Sequence, residues 1–244
     1  MPQVPLTPQL AVEQQALTER LRRARHFRTL PPVAMRTLVD VARVRSMRAG
    51  EVLWRAGDAG TGFTFVDRGL VMISTPRSNG GAAVLGVFGP DDCVGISAVL
   101  ARAPYPADAV ALAPDTRVLV FPAAAVLAAV EGHRACADLV QAAVTDHTAA
   151  LRMKIEILSA GTVPARVAAF LLYLGSRFGH PHAMGSVSIP VMVTRAQIAQ
   201  IVAARPETVI RAFAAWRRQR IVATGPEGFE LKAVGRLHAI AAGE

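Results

Sequence analysis

Glu207 and Arg211 lie four residues apart in the stretch Thr194–Trp216, which otherwise consists mainly of apolar and small residues. An arginine can donate two parallel hydrogen bonds to O6 and N7 of guanine, and a glutamate can accept one from N4 of cytosine. Residues four apart share one face of a helix, so these side chains can also orient each other. An ordinary surface salt bridge is the alternative for such a pair.

The surrounding stretch is typical of two short helices joined by a tight turn. Thr194 is a suitable N-cap for the first helix, Ala203 and Ala204 are small enough for the turn, and Pro206 suits the first turn of the second helix. The first helix is predicted to bury Ile198, Ala199 and Val202. The second is predicted to bury Val209, Ile210, Phe213 and Trp216, and to leave Glu207, Thr208 and Arg211 on its polar side. These features predict a helix-turn-helix on a basic domain, which favours base contacts over a salt bridge.

Three further side chains of this stretch are placed for contacts with backbone phosphates, which position a protein on DNA without reading sequence. They are Thr194, Arg195 and Thr208. The following segment, Ile221–Leu231, has two short β-favouring runs around Gly225–Gly228 and predicts a hairpin beside the helices. Thr224 of this hairpin could touch a phosphate, and a purely structural hairpin is the alternative.

The positive charge of the chain is concentrated in its C-terminal third. The 244 residues include 27 Lys plus Arg and 18 Asp plus Glu, which gives a net charge of +9. Residues 162–244 carry 10 of the basic and 4 of the acidic side chains. Arginine makes bidentate contacts with phosphates and guanine edges, so this excess indicates a polyanionic partner. A general preference for Arg is the alternative for any single surface Arg.

The rest of the chain has to position this motif. Residues 8–26 carry helix formers, and a second helical pattern follows Pro31 and Pro32. Between Met47 and Pro122, short β-favouring runs alternate with Gly and Pro-Asp turns, which predicts an antiparallel barrel or sandwich. The runs are Val52–Trp54, Phe63–Val66, Leu70–Ser74, Ala83–Phe88 and Thr116–Phe121.

Residues 123–160 are predicted to form two helices separated by Gly132. The second helix carries a recurrent stripe formed by Val140, Val144, His147, Leu151 and Leu158, with Lys154 at the missing place. The spacing is heptad-like, so we expect this helix to pair with a second copy of the chain; packing on its own β-structure is the alternative. A domain boundary is expected near Ala160–Pro164, before a helical segment at Arg166–Phe178 and a strand at Val187–Val193.

Three motifs of the chain resemble those of the Crp/Fnr superfamily of bacterial transcription regulators. They are Gly50–Asp58 with Gly69, Phe88–Gly95, and the helix-turn-helix Arg195–Arg211; Thr162–Leu172 also looks like the start of the family's DNA-binding domain. The resemblance implies an α+β protein with an N-terminal cyclic-nucleotide-binding-type β-roll, a long dimerisation helix and a C-terminal winged helix-turn-helix domain. The domains are then residues 1–27 (an N-terminal helical extension), 28–132 (the sensor β-roll with flanking helices), 133–161 (the dimerisation helix) and 162–244 (the winged domain).

The resemblance also implies a function. A homodimer would bind double-stranded DNA at a palindrome whose half-sites lie about one helical turn, ~34 Å, apart. Glu207 and Arg211 match the family's base-reading positions, whereas Pro206 replaces a residue that is frequently polar. RNA polymerase is a further partner that the family implies.

The effector pocket implied by the resemblance departs from the family pattern. Its positions are Gly95, Ile96, Ser97, Pro106 and Ala107. Cyclic-nucleotide binders of this fold hold the ribose with an acid where Ile96 stands, and the cyclic phosphate with an Arg-Ser pair where Pro106 and Ala107 stand. Without the Arg the phosphate loses its bidentate partner, so we expect an effector other than a cyclic nucleotide.

Metal-based sensing is restricted by the cysteine count. The family's iron–sulfur sensors need four cysteine ligands, and this chain has only Cys93 and Cys136, which excludes that mechanism. Haem stays open, with His147, His26 or Met and Cys side chains as iron ligands, although packed or solvent-facing side chains are the alternative for each. A thiol sensor at Cys93 is a weaker alternative, because free cysteines are usually buried and inert.

Other classes of protein are disfavoured. There is no nucleophile–base pair, metal cluster or phosphate-cradling loop, so an enzyme is not predicted, and His180 and His182 are expected to be solvated loop residues. No apolar run is long enough to span a membrane and the N-terminus lacks a signal-peptide pattern, so a cytoplasmic protein is expected. The competing function is a ligand-binding β-roll whose winged domain mediates protein–protein contacts.

Overall fold

The computed structural model of the chain describes residues 8–77, 82–182 and 185–244. In these residues an N-terminal pair of helices leads into a β-roll, a long helix and a C-terminal domain of helices and one small sheet. The α+β architecture expected from the motifs is therefore confirmed. No helix of the described part is long and apolar enough to cross a lipid bilayer.

The β-roll consists of two four-stranded antiparallel sheets. Its strands are β1 (Arg43–Met47), β2 (Val52–Trp54), β3 (Gly62–Arg68), β4 (Val71–Pro76), β5 (Ala82–Phe88), β6 (Cys93–Val94), β7 (Asp108–Ala111) and β8 (Thr116–Pro122). One sheet has the order β1-β8-β3-β6 and the other β2-β7-β4-β5. Each of the five predicted β-favouring runs corresponds to one of these strands, with ends that differ by at most two residues. Strand β1 was not predicted, because four of its five side chains are exposed and show no apolar alternation.

Four helices surround the roll. They are α1 (Pro8–Arg23), α2 (Pro32–Val41), α3 (Ile96–Ala101) and α4 (Ala123–Gly132). Between α1 and α2, Phe27 is fully buried and packs edge-to-face on Phe65 of β3 with ring centroids 5.2 Å apart. The helical pair at the N-terminus is thus anchored in the core of the first sheet.

The long helix α5 (Arg134–Ser159) has 26 residues and is about 39 Å long at 1.5 Å per residue. Its first half packs on the first sheet and α4 through Cys136, Leu139 and Ala143, all of which are buried. Farther along, Ala150 packs against the interior of the roll, and Ile157 belongs to the core of the C-terminal domain. Helix α5 therefore packs in turn against the first sheet, the interior of the roll and the C-terminal domain.

The described residues of the C-terminal domain form four helices and a four-stranded sheet. The helices are α6 (Val163–Phe178), α7 (Arg195–Ile201), α8 (Pro206–Arg218) and α9 (Val234–Ala242); the strands are β9 (His180–Pro181), β10 (Val187–Ile189), β11 (Val222–Gly225) and β12 (Gly228–Leu231). Thr162 caps α6, accepting a hydrogen bond from the backbone N–H of Ala165 over 3.3 Å. Strand β10 is shorter than the predicted Val187–Val193, because Pro190 cannot donate to the sheet ladder.

The core of the C-terminal domain is continuous with the outer face of the β-roll. Leu70, Met72, Val84 and Val87 of the roll are buried in the same apolar cluster as the side chains of α6, α7 and α8. The hydroxyl of Tyr173 on α6 donates to the carbonyl of Val87 over 3.2 Å. The C-terminal domain is thus packed against the roll of its own chain.

Candidate nucleic-acid interface

Helix α7 begins with a reciprocal capping box. The hydroxyl of Thr194 accepts from the backbone N–H of Gln197 over 3.2 Å, and the side-chain carbonyl of Gln197 accepts from the N–H of Thr194 over 2.7 Å. The amide group of Gln197 also donates to the carbonyl of Leu112 in the roll, over 3.0 Å. The first helix is therefore fixed both at its own N-terminus and to the neighbouring domain.

A tight turn joins α7 to α8, as predicted from the small residues there. Ala203 adopts a left-handed backbone with φ of 51°, and the N–H of Ala204 donates to the carbonyl of Ala199 over 2.8 Å. Pro206 then starts α8 at a position where its missing N–H leaves no unmade bond. The two helices form the predicted helix-turn-helix.

Helix α8 exposes the polar residues that the sequence singled out. Val209, Phe213 and Trp216 are buried on its inner face, while Glu207 and Arg211 are exposed on the opposite side. The partly exposed Thr208 accepts a hydrogen bond from the guanidinium of Arg211 over 3.3 Å. This contact orients Arg211 and leaves the carboxylate of Glu207 at the surface.

The sequence interpretation was wrong about one residue of α8, because Ile210 is not buried. It is 52% exposed and lies beside Glu207 and Arg211. Each residue advances about 100° around a helix, so the position after the buried Val209 turns away from the core. An apolar side chain at this point can contact the C5-methyl group of thymine.

The hairpin β11–β12 is present and lies beside α8. Its register pairs Gly225 with Gly228, which leaves a two-residue turn at its tip. Gly228 has φ of 142°, and a Cβ atom there would collide with the carbonyl oxygen of Ile189. Only glycine allows this close approach, so the tip of the hairpin is fixed against the segment that precedes α7.

Arg195 is used for packing, although it was predicted to contact phosphate. Its guanidinium lies 3.5 Å from the ring centroid of Phe213 on α8 and 5.3 Å from that of Phe229 on β12. It also donates to the hydroxyl of Thr224 on β11 over 2.6 Å. Burial lowers the pKa of Arg195. This side chain therefore joins α7, α8 and the hairpin.

Replacing Arg195 by Ala is expected to lower the free energy of unfolding by about 1–2 kcal/mol, because a desolvated cation–π contact and the stacking of its stem are lost. The salt dependence of DNA binding should change little. Urea unfolding and DNA titrations at several salt concentrations measure the two quantities. Unchanged stability together with a salt slope reduced by about 0.9 per subunit would instead mean a phosphate contact.

An ionic cluster around the buried Asp92 joins the C-terminal domain to the roll. The carboxylate of Asp92, in the turn before β6, accepts hydrogen bonds from Arg177 of α6 and from Arg25 after α1, the latter over 2.9 Å. Asp146 of α5 accepts from Arg25 over 2.5 Å and lies 2.7 Å from Nε2 of His26. Burial raises the pKa of Asp92; Asp146 keeps a lowered pKa because the His26 hydrogen bond and the Arg25 charge outweigh its burial.

A second junction connects α5 to the end of α7. The ammonium of the buried Lys154 donates to the carbonyl of Ile201, and the guanidinium of Arg166 donates to that of Val202 over 2.8 Å. Both cations thus satisfy carbonyls at the C-terminal end of α7, where a positive charge is favoured. Burial, reinforced by Arg166 and Arg77, lowers the pKa of Lys154 to about 8.

Replacing Lys154 by Met is expected to change the pH dependence of stability. Below about pH 8 the ammonium is charged in both the folded and unfolded chains. Its full desolvation penalty therefore lowers the free energy of unfolding. Above that pH the folded chain releases the proton first, and the parent gains stability relative to the variant until about pH 10.5. Urea unfolding at pH 7 and pH 9.5 tests this, with Lys232→Met as the control. A constant difference between parent and variant would contradict it.

The stripe predicted on α5 is divided between two faces. Val140 is buried in the core of its own chain, and the ring of His147 stacks on Phe88 of β5 with centroids 4.6 Å apart. Both residues therefore pack against other parts of their own chain. Four aliphatic side chains of the helix are 40–65% exposed and form what we call the seam: Val144, Leu151, Ile155 and Leu158.

Four of the five predicted pocket residues line a common cavity. Gly95, Ser97, Pro106 and Ala107 surround it together with Trp54 and Tyr105. Ile96 instead points into the core between the first sheet and the N-terminal helices. The stacking of Trp54 on Tyr105 could not be predicted from the sequence, because the two residues are 51 positions apart and are brought together only by the fold.

The residues considered for metal or redox sensing are engaged elsewhere. Nε2 of His147 is 3.2 Å from the carbonyl of Cys93, and Nε2 of His26 contacts Asp146. Burial and the nearby Asp92 raise the pKa of the Cys93 thiol well above its ordinary value, which disfavours the reactive thiolate. Within the described ranges no group of three or more His, Cys, Asp or Glu is arranged to hold a metal ion.

Solved structures with the same fold include two that are described as transcriptional regulators. FixK2 from Bradyrhizobium japonicum is 23% identical, with a TM-score of 0.68 over 82% of this chain and 96% of that chain. A CRP-family transcriptional regulator from Thermus thermophilus is 21% identical, with a TM-score of 0.66 over 82% and 97%. A CRP/FNR-family regulator from the same organism is 23% identical, with a TM-score of 0.60 over 82% and 98%. Comparison with curated protein sequences gives no significant match.

Two family models match consecutive parts of the sequence. The cyclic nucleotide-binding domain matches residues 44–133, which comprise the β-roll and α4. The Crp-like helix-turn-helix domain matches residues 165–240, which comprise the C-terminal domain. With the capped α7, the exposed face of α8 and the hairpin beside them, these matches show that the chain belongs to the Crp/Fnr family of transcription regulators.

Proposed function

We propose that this regulator binds a palindromic DNA site as a homodimer and reads each half-site with α8. The observation that carries the proposal is the exposed surface formed by Glu207, Ile210 and Arg211 at the N-terminal half of a rigidly capped helix-turn-helix. This surface combines an acceptor for cytosine, an apolar contact for thymine and a bidentate donor for guanine. Thr194 and Thr208 are proposed to contact backbone phosphates.

The electrostatics of the C-terminal domain support this proposal. Arg205 lies just before α8, Arg217 and Arg218 lie in its last turn, and Arg220 follows its end. All four arginines are exposed. Such a basic rim neutralises phosphates on either side of the groove and supplies affinity that does not depend on sequence.

The seam on α5 supports the homodimer. Its residues are spaced by seven, four and three, which is the heptad spacing of a two-stranded coiled coil. Thr148 lies between Val144 and Leu151 on the same face, so the exposed stripe continues over four turns. Pairing of two copies along this seam would bring two C-terminal domains together for one palindrome. RNA polymerase is included as a further partner on the ground of the family alone.

The alternative is that the winged domain mediates protein–protein contacts. Selection from a random duplex library, followed by fluorescence titrations, separates the two. We expect an enriched inverted repeat with half-sites about 10 base pairs apart, and an affinity that falls steeply with salt, as for 6–10 phosphate contacts. Failure to enrich any repeat, with a shallow salt dependence, would refute the DNA-binding proposal.

A further inference from the structure

The turn between β5 and β6, residues 89–92, is contacted by the N-terminal segment and by the C-terminal domain. Arg25, which follows α1, donates to Oδ1 of Asp92 over 2.9 Å. Arg177, at the end of α6, donates to the same oxygen atom. The second oxygen, Oδ2, accepts from the backbone N–H of Gly89 over 2.9 Å. One carboxylate therefore joins three parts of the chain.

The end of α6 is closely packed on this turn. A Cβ atom at Gly89 would collide with the ring of Phe178, and the guanidinium of Arg177 lies 5.6 Å from the centroid of that ring. One helical turn earlier, the hydroxyl of Tyr173 donates to the carbonyl of Val87 over 3.2 Å. The orientation of the helix that opens the C-terminal domain therefore depends on its contacts with this turn.

Asp92 depends on both arginines for its charge. The residue is only 1% exposed, and burial raises the pKa of its carboxyl group, whereas the charges of Arg177 and Arg25 lower it. Asp146 of α5 is near enough to raise the pKa of Asp92 further. Arg25 also donates to Asp146 over 2.5 Å, so one guanidinium compensates both carboxylates.

Loss of Arg25 would therefore weaken the contact between Asp92 and Arg177. The two carboxylates would repel each other without the cation between them, which favours protonation of the buried one. A neutral carboxyl group binds a guanidinium less strongly, because charge-assisted hydrogen bonds are roughly twice as strong as neutral ones. Arg25 thus acts on α6 without touching it.

Arg25 itself belongs to a segment that is fixed on the roll. Before it in the chain, Nε of Arg20 lies 2.6 Å from the carboxylate of Asp67, and a terminal nitrogen lies 3.0 Å from that of Asp91. After it, Phe27 is fully buried in the core of the first sheet. Residues 20–27 are thus anchored on both sides of Arg25.

This segment lies outside both matched family domains. The cyclic nucleotide-binding domain begins at residue 44, and the helix-turn-helix domain covers residues 165–240. Asp92 lies in the first of these domains and Arg177 in the second, whereas Arg25 lies in neither. The N-terminal segment therefore adds a connection between the two domains that neither domain contains by itself.

We infer that Arg25 is a positioning residue for DNA binding, which keeps Asp92 charged so that Asp92 holds α6 and presents the helix-turn-helix in one orientation. A domain that is already ordered loses less conformational entropy when it binds, so its affinity is higher. The effect on DNA affinity rests on the proposed function, whereas the effect on domain orientation does not.

Double electron–electron resonance on the full chain measures the domain orientation. Spin labels are attached through Arg36→Cys on α2 and His238→Cys on α9, both at exposed positions, while the native cysteines are buried. Labelled chains are diluted with an excess of unlabelled chains, so that only distances within one chain are observed. We expect a narrow distance distribution in the parent and a broad one in Arg25→Met and in Arg177→Met.

Arg22→Met is the matched control, because Arg22 is an exposed arginine of the same segment. It should give the distribution of the parent, and Arg25→Lys, which keeps the charge, should restore a narrow one. Thermal unfolding is measured in parallel. A purely structural role of Arg25 would lower the melting temperature but leave the distribution of the folded chain narrow, and that result would overturn the inference. If Arg25→Met does not fold, Arg177→Met tests the same connection from the C-terminal domain.

Titrations with the selected DNA site test the effect on binding. We expect Arg25→Met and Arg177→Met each to bind about fivefold more weakly or worse, as is typical of coupling between sites. The double variant should bind no more weakly than the single ones, because both changes act through Asp92. Unchanged or tighter binding by Arg25→Met would overturn the positioning role. A parent chain that binds no DNA would refute the proposed function, while the distance measurements would still test the domain orientation.

Discussion

Replacement of Ile155 by Glu is expected to convert the proposed homodimer into monomers and to abolish binding to the proposed palindromic site. Ile155 is the most exposed residue of the seam, and its side chain lies outside the core of its own chain. In a paired helix each copy would place an unpaired carboxylate against apolar side chains, at a cost of about 3–5 kcal/mol. Sedimentation velocity over a range of concentrations measures the effect.

The matched control for this change is Val33→Glu. Val33 lies in the first turn of α2 and is similarly exposed, so the same change from apolar to acidic is made away from the seam. This variant should remain dimeric. A dimer that tolerates Glu at position 155 with less than a tenfold change in its dissociation constant would refute pairing along α5.

Replacement of Arg211 by Ala should weaken binding to the selected DNA site by about 1–3 kcal/mol and relax specificity at one base pair of each half-site. Arg211 is exposed on α8, and its hydrogen bond to Thr208 orients the guanidinium at the surface of the helix. Fluorescence anisotropy with the selected site and with each single-base variant measures both effects.

Arg36→Ala is the control for Arg211→Ala, because Arg36 is an exposed arginine on α2, far from the C-terminal domain in the chain. The control should bind every site as the parent does. If Arg211→Ala weakens binding equally at all sites, with a shallower salt dependence, its contact is with phosphate rather than with a base.

Local sequence patterns predicted the helix-turn-helix well. The cap at Thr194, the small residues before Pro206 and the apolar spacing of Val209, Phe213 and Trp216 each act within one or two turns of chain. Their structural consequences are therefore visible without knowing the rest of the fold. The same reasoning holds for the β-roll, whose turns are marked by Gly and Pro-Asp.

The burial and contacts of residues that can pack against several different elements were harder to predict from the sequence. Ile210 is apolar and was predicted to be buried, although its angular position on α8 exposes it. Arg195 is a residue type that often contacts phosphate, but in the structure its guanidinium makes cation–π contacts with the rings of Phe213 and Phe229. For Ile210 the residue type was a poorer guide than its position on the helix, and for Arg195 the phosphate contact stays a prediction.

Two features could be predicted from local patterns alone: the order of the β-roll, the long helix and the C-terminal domain, and the helix-turn-helix. Each of these depends on residue types at short, fixed spacing. The fold was needed to show which face of α5 is exposed, that Asp92 bonds to Arg177 of α6, and that Trp54 stacks on Tyr105. These features depend on contacts between residues tens of positions apart, and local periodicity contains no information about such pairs.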